Sequence, residues 1–341
     1  MWIISRVFGE SRYTRLTFIT TLIQCLTVIT FEAIIYVYHT QEVNVLSTEQ
    51  FNNTNGVEYA NARSLSVYHI LFMIAQLFMV GMFIDAIYQK NTIQLIALVC
   101  FEFGMTIYSG IQYRQAATLF DNAAAKATII AIIEAKLGMF HQSYWAELMV
   151  VATMVVFMLI FTAFAYKLYQ EFGWSIYKKI GADLAMRDVY KMYQIFMMLL
   201  KFDVFFFLSL SIQYLVVLVV RGNTAGANFN LSSLLIKHIL LSTIVTVVMM
   251  VLAFWGLKSE RRTVLYSFMV CGVCSMAYFI YLLVDVNNNP DFYEGSRTFL
   301  TFFCKLFFLL LGEEGEETKS LAVDGDSGCL SAFSWSDFSE N

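Results

Sequence analysis

Seven stretches of about twenty apolar residues, at roughly 16–38, 66–88, 91–112, 146–168, 192–220, 231–257 and 263–285, leave this chain one class of fold. A backbone in hydrocarbon has no water to bond, so each run must satisfy its own amides as a helix. The expected architecture is therefore all-α, a polytopic membrane helix bundle with seven clear spans. Thr298–Leu311 is a short eighth apolar segment, which as a helix covers about 21 Å of a roughly 30 Å core. The one proline, Pro290, falls between the seventh and eighth runs, so no span is kinked by proline. Apolar residues are 59% of the chain and charged residues 14%, which leaves too little polar surface for a soluble fold of 341 residues.

Charge sets the domain limits and the orientation. Residues 312–341 carry eight acids and Lys319, and read as an acidic disordered tail. Residues 1–15 hold Arg6, Arg12 and Arg15 and run into the first span without a cleavage site, so they read as a cytosolic N-terminal segment, with the transmembrane domain at 16–311. With the N-terminus cytosolic, twelve Lys and Arg fall on the inner side and six on the outer, as the positive-inside rule asks. Asn52-Asn53-Thr54 is a glycosylation sequon in the first outer loop and agrees with that orientation. No basic patch suggests nucleic acid, and the lipid bilayer and other membrane proteins are the expected partners.

Ionisable residues inside spans cost about 2.5 to 3.5 kcal/mol each on insertion scales, so each is a candidate for function. They are Glu32, Asp85, Glu102, the Lys201 and Asp203 pair, Lys237 with His238, and Asp285. Glu102 lies deepest, and the expectation is that it is protonated or paired with a base such as Lys201 or Lys237. Phe-acid doublets recur at Phe31-Glu32, Phe101-Glu102 and Phe202-Asp203, and Ile23-Gln24 and Ile93-Gln94 precede the first two acids by the same spacing. Such a recurrence fits a repeated two-helix unit of the kind transporters use, but phenylalanine is abundant enough here to produce the doublets by coincidence. All four histidines, His39, His69, His141 and His238, fall near outer span ends and read as scattered interfacial residues. Cys271-x-x-Cys274 lies mid-helix without a second pair or a nearby histidine, and reads as buried thiols. Neither a metal site nor a cofactor is indicated.

The phrases EFGWSIYKKIGAD and YQIFMMLLKFDVFFFLSLSIQYLVVLV, with the early SRYTRLTFITTLIQCLTVITFEAIIY and the late NPDFYEGSRTFLTFF, resemble the fungal UPF0658 family of uncharacterised Golgi apparatus membrane proteins. The resemblance covers about Ser11 to Phe303 and implies a multi-pass Golgi membrane protein. It implies no reaction, ligand or site residue. After Phe303 the sequence departs from the family pattern and enters the acidic tail. The function expected from these readings is that of a non-enzymatic scaffold or trafficking factor. The alternatives are a small-solute, proton or metal-ion transporter using Glu102, Glu32 and Lys237, and a lipid-modifying membrane enzyme. A transporter needs a polar route to Glu102 from one face, and an enzyme needs clustered histidine and carboxylate. A scaffold needs neither.

Overall fold

A computed structural model describes residues 11–46, 56–117, 143–180, 184–222 and 262–288, with single positions at 134, 236, 238, 244, 247, 248, 251 and 301. Its described elements are all helical: α1 Arg12–Leu46, α2 Gly56–Gln89, α3 Thr92–Ala117, α4 Tyr144–Ile180, α5 Leu184–Gly222 and α6 Arg262–Asn288. Five of them contain segments long and apolar enough to cross a membrane, at Arg12–Val45, Ala62–Gln89, Thr92–Ala117, Tyr144–Trp174 and Leu200–Val219. These match the first five expected spans, and α6 is helical over the seventh. The sixth and eighth expected runs, the acidic tail, Asn52 and residues 1–10 lie outside the described residues, apart from the single positions named.

The chain divides into two compact units, and the first holds α1 to α4. In it α1 packs on α2 and α4, and α3 packs on the same two helices, which closes a ring of four. Side-chain pairs fix the directions. Gln24 meets Gln76 and Glu32 meets His69, so α1 and α2 are antiparallel. Gln24 meets Glu102 and Glu32 meets Gln112, so α1 and α3 are parallel. Ser11 meets Glu171 and His39 meets Glu147, so α4 runs against α1. This is an up-down-up-down four-helix bundle.

Its helices are amphipathic in the inverse sense. The buried positions of α1 are Thr14, Thr17, Thr21, Gln24, Cys25, Val28, Glu32, Ile35, His39, Glu42 and Val43, and most of them are polar. They recur every three or four residues, one face of a helix. The opposite face carries Leu16, Ile19, Ile23, Leu26 and Val37, with Leu26 66% exposed. In water that exposure would be costly; in lipid tails it is the solvated face, and association is left to packing and interhelical hydrogen bonds.

The α2 to α3 reversal shows how local chemistry sets the bundle geometry. Lys90 adopts a left-handed conformation with φ 53°. Asn91 N–H donates to Ala86 O at 3.0 Å and Lys90 N–H to Ile87 O at 3.2 Å, the paired bonds of a Schellman stop. The Asn91 carboxamide oxygen then accepts from the amides of Ile93 and Gln94, both at 3.0 Å, and caps α3. Asn91→Ala should cost about 1 kcal/mol, whereas Lys90→Gly should be neutral or stabilising by a few tenths to about 1 kcal/mol by relieving the left-handed strain. Denaturant unfolding of the purified protein checks both signs.

Candidate functional site

A column of buried polar side chains lines the interior of the four-helix bundle. Its inner layer lies near the middle of the expected spans. There Gln24 on α1 donates to a Glu102 carboxylate oxygen on α3, and to Gln76 Oε1 on α2 at 3.4 Å. Met154 Sδ on α4 lies 3.9 Å from Gln24 Nε2 and 3.7 Å from Gln76 Nε2. Glu102 is 1% exposed, and its second oxygen has no hydrogen-bond partner. Every helix of the ring contributes one residue to this layer.

Two turns along α1, about 12 Å by helix rise, the next layer joins Glu32, His69 and Gln112. His69 Nδ1 is 2.8 Å from Glu32 Oε2, and Gln112 Nε2 donates to the same oxygen at 3.4 Å while also touching His69 Nδ1. The His69 ring stacks on His39, with centroids 5.2 Å apart and planes inclined by 29°. His39 leads to the last layer. Its two ring nitrogens face Glu42 Oε2 at 3.5 Å and Glu147 Oε1 at 3.6 Å, and the Ser143 hydroxyl donates to Glu147 Oε1 at 3.0 Å. From Gln24 to Glu42 the column covers about 27 Å of α1.

Beyond the inner layer, toward the other end, the bundle closes with apolar side chains. Met79, Phe83, Leu95, Leu98, Phe161 and Ala165 are all buried, and Phe83 and Phe161 meet edge to face at 5.8 Å between centroids. The threonines of α1 continue the polar face there, and Asn91 and Gln94 are also buried, bonded within the α2 to α3 reversal. Thr17 and Thr21 bond to carbonyls four residues back, which satisfies each hydroxyl within its own helix. The column thus runs to Glu102 from the Glu42 and Glu147 end, while the buried Leu95 and Leu98 lie between Glu102 and Gln94 along α3.

The structure sorts the residues expected to matter. Glu32 and Glu102 lie in the column. Asp85 sits at the end of α2, partly exposed, accepting from Gln89 and Gln94 at 2.8 Å each. In the second unit, Lys201 is half-buried on α5, Asp203 is a residue of the same helix, and Asp285 is half-buried near the end of α6. Lys237 lies outside the described residues. His238 is buried; its Nε2 donates to Ser211 O at 3.1 Å, so Nδ1 accepts from the Tyr278 hydroxyl. The bond that Glu102 accepts among the described residues comes from the amide of Gln24.

Three expectations change. His39 and His69 are not scattered but stacked on each other and buried, at 1% and 0% exposure, because spacings of seven residues from Glu32 and from Gln76 keep them on the inward faces of α1 and α2. Gln24 and Gln94, matched in the apparent repeat, do not play equivalent parts: Gln24 meets Glu102, while Gln94 bonds Asp85 and the Met82 carbonyl. Cys271 is half-buried and Cys274 exposed on α6, so these thiols are less buried than expected. Sequence reasoning also passed over Glu42, Gln76, Gln112 and Glu147. The three-and-four spacing of Gln24, Glu32, His39 and Glu42 was the signal that could have found the α1 face.

Among the described residues no three His, Cys, Asp or Glu side chains are placed to hold a metal ion. No family model and no solved structure matches the chain. A UPF0658 Golgi apparatus membrane protein of Schizosaccharomyces pombe is 27% identical over 320 residues, covering 87% of this chain and 83% of the relative. Similarity of that extent runs through the column helices as well as the later ones, and it supports membership of this multi-pass chain in the UPF0658 family.

Proposed function

We propose that this protein is a non-enzymatic, multi-pass protein of the Golgi membrane whose first four helices carry protons or a small cation toward or across the bilayer. The observation that supports this reading is the polar column, which runs from the Glu42 and Glu147 end to Glu102 near mid-span, with a mostly apolar core beyond it. Burying carboxylates and imidazoles in hydrocarbon is costly unless they are paired, and a chain that only needed tight helices could pack apolar residues there instead. The same pairs also tie each helix to its neighbours, which is what the scaffold reading asks of them. Flux separates the two. The purified protein in sealed liposomes should collapse an imposed pH or potassium gradient faster than empty liposomes, and liposomes as tight as the controls would leave the scaffold reading.

The Golgi address follows the relative's name, and the cytosolic N-terminus follows the distribution of basic residues. In that orientation the Glu42 and Glu147 end of the column is lumenal, and Asn52 is a glycan acceptor. Endoglycosidase digestion should increase the mobility of the wild-type chain and leave Asn52→Gln unchanged. Protease protection of residues 169–191 in sealed microsomes would reverse the orientation.

A further inference from the structure

His39 is a ring between two acids. Its Nδ1 faces Glu42 and its Nε2 faces Glu147, at 3.5 and 3.6 Å, with the imidazole 1% exposed. Neither ring nitrogen has a hydrogen-bond partner at these distances. An ionised carboxylate only accepts, and a neutral imidazole has a single N–H. Whichever tautomer it takes, a neutral His39 between two ionised acids turns a lone pair toward an anion. One further proton, on the ring or on one of the acids, removes that repulsion and lets both contacts become hydrogen bonds.

The surroundings add to the need. Glu32 and Glu42 on α1, His69 and Tyr68 on α2, Tyr108 on α3 and Glu147 on α4 are the buried titratable groups of this part of the bundle. Counting only Glu32, Glu102 and Glu147, the column's carboxylates already outnumber its two imidazoles. Even two imidazolium rings would leave it negative, a state hydrocarbon strongly disfavours. His69 Nε2 is also buried without a partner, beside the His39 ring.

We infer that His39, Glu42 and Glu147 form a proton-binding site, holding one exchangeable proton more than a neutral ring and two ionised acids would carry, with the Glu32 and His69 pair as the next acceptor inward. In the loading step a carboxyl O–H of Glu147 breaks, an N–H forms at His39 Nε2, and carboxylate and imidazolium result; no other bond changes. As a statement about cargo this rests on the transport reading, because it names the proton as what the column carries. As a statement about binding it is tested without flux, so the two can fail separately.

The test uses the full-length protein in lipid nanodiscs at neutral pH, isotope-labelled at its four histidines and recorded by nitrogen NMR together with the infrared carboxylic-acid band. The expected wild-type result is either a doubly protonated imidazole or a protonated carboxyl, lost on His39→Gln and on Glu147→Gln. If a variant does not fold, the milder Glu147→Asp serves for assignment, and the extra proton is present at this site only if the doubly protonated ring or the carboxylic-acid band shifts in that variant. A singly protonated His39 with no carboxylic-acid signal from Glu42 or Glu147 would overturn the site. So would ring signals that shift on chelator treatment and return with zinc, which would make the ligand a metal ion. Liposomes without flux but with this proton keep the site, while flux without it removes the site and keeps transport.

Discussion

Glu102→Gln is expected to slow proton or cation flux about tenfold or more while the protein folds and reaches its membrane. A tenfold loss corresponds to raising the limiting step by about 1.4 kcal/mol, a modest demand on a change that removes the ionisable group nearest mid-span. The fold should tolerate it, because the carboxamide keeps an oxygen for the Gln24 amide to donate to, and the new amino group replaces an oxygen that has no partner now. Reconstituted flux, measured against equal amounts of folded protein, provides the comparison. Equal flux in wild type and variant would remove Glu102 from the route, and failure to fold would show that the acid serves the inner layer as a structural acceptor.

Glu32→Leu is expected to destabilise the bundle by about 2 kcal/mol. That value lies between the roughly 0.6 kcal/mol typical of interhelical polar contacts in membranes and the 3 to 5 kcal/mol of a buried ion pair broken on one side. The loss arises from what remains, since Glu32 accepts from both His69 and Gln112 in a layer closed to solvent. Glu32→Leu/His69→Leu should recover at least half of it, because the double change leaves an apolar pair where the single change strands a ring. Thermal unfolding of the four proteins in one detergent completes the cycle, and simply additive losses would mean that the two side chains do not couple.

Helix existence was legible in the sequence because it depends on one local quantity, apolar length, and hydrocarbon allows the backbone no alternative. The first five runs and the seventh all appear as helices, close to their expected limits for α3 and α6 and up to about a dozen residues longer at one end for the others. Glu32 and Glu102 were legible for a related reason, as a charge inside an apolar run stands out whatever surrounds it. Glu42, His39 and Glu147 were not, because they lie near or just beyond span ends, where a polar residue is cheap and unremarked. Helix α1 continues past its expected limit to Leu46, and that extension carries the His39 and Glu42 end of the column beyond the apolar run.

By itself the sequence determined that this chain enters a bilayer, where its apolar runs become helices and which of its charges must be explained. Those follow from transfer energies summed along the chain. Only the tertiary structure decided which polar residues meet. Gln24 and Glu102 are 78 positions apart and meet across the bundle interior, while His39 and Glu147, separated by two further helices, meet across the α1 and α4 interface. Their meeting depends on the rotation and axial offset of whole helices. The polar stripe marks which face of α1 turns inward, but hydropathy along one helix carries no record of which residue on another helix will stand at the same depth.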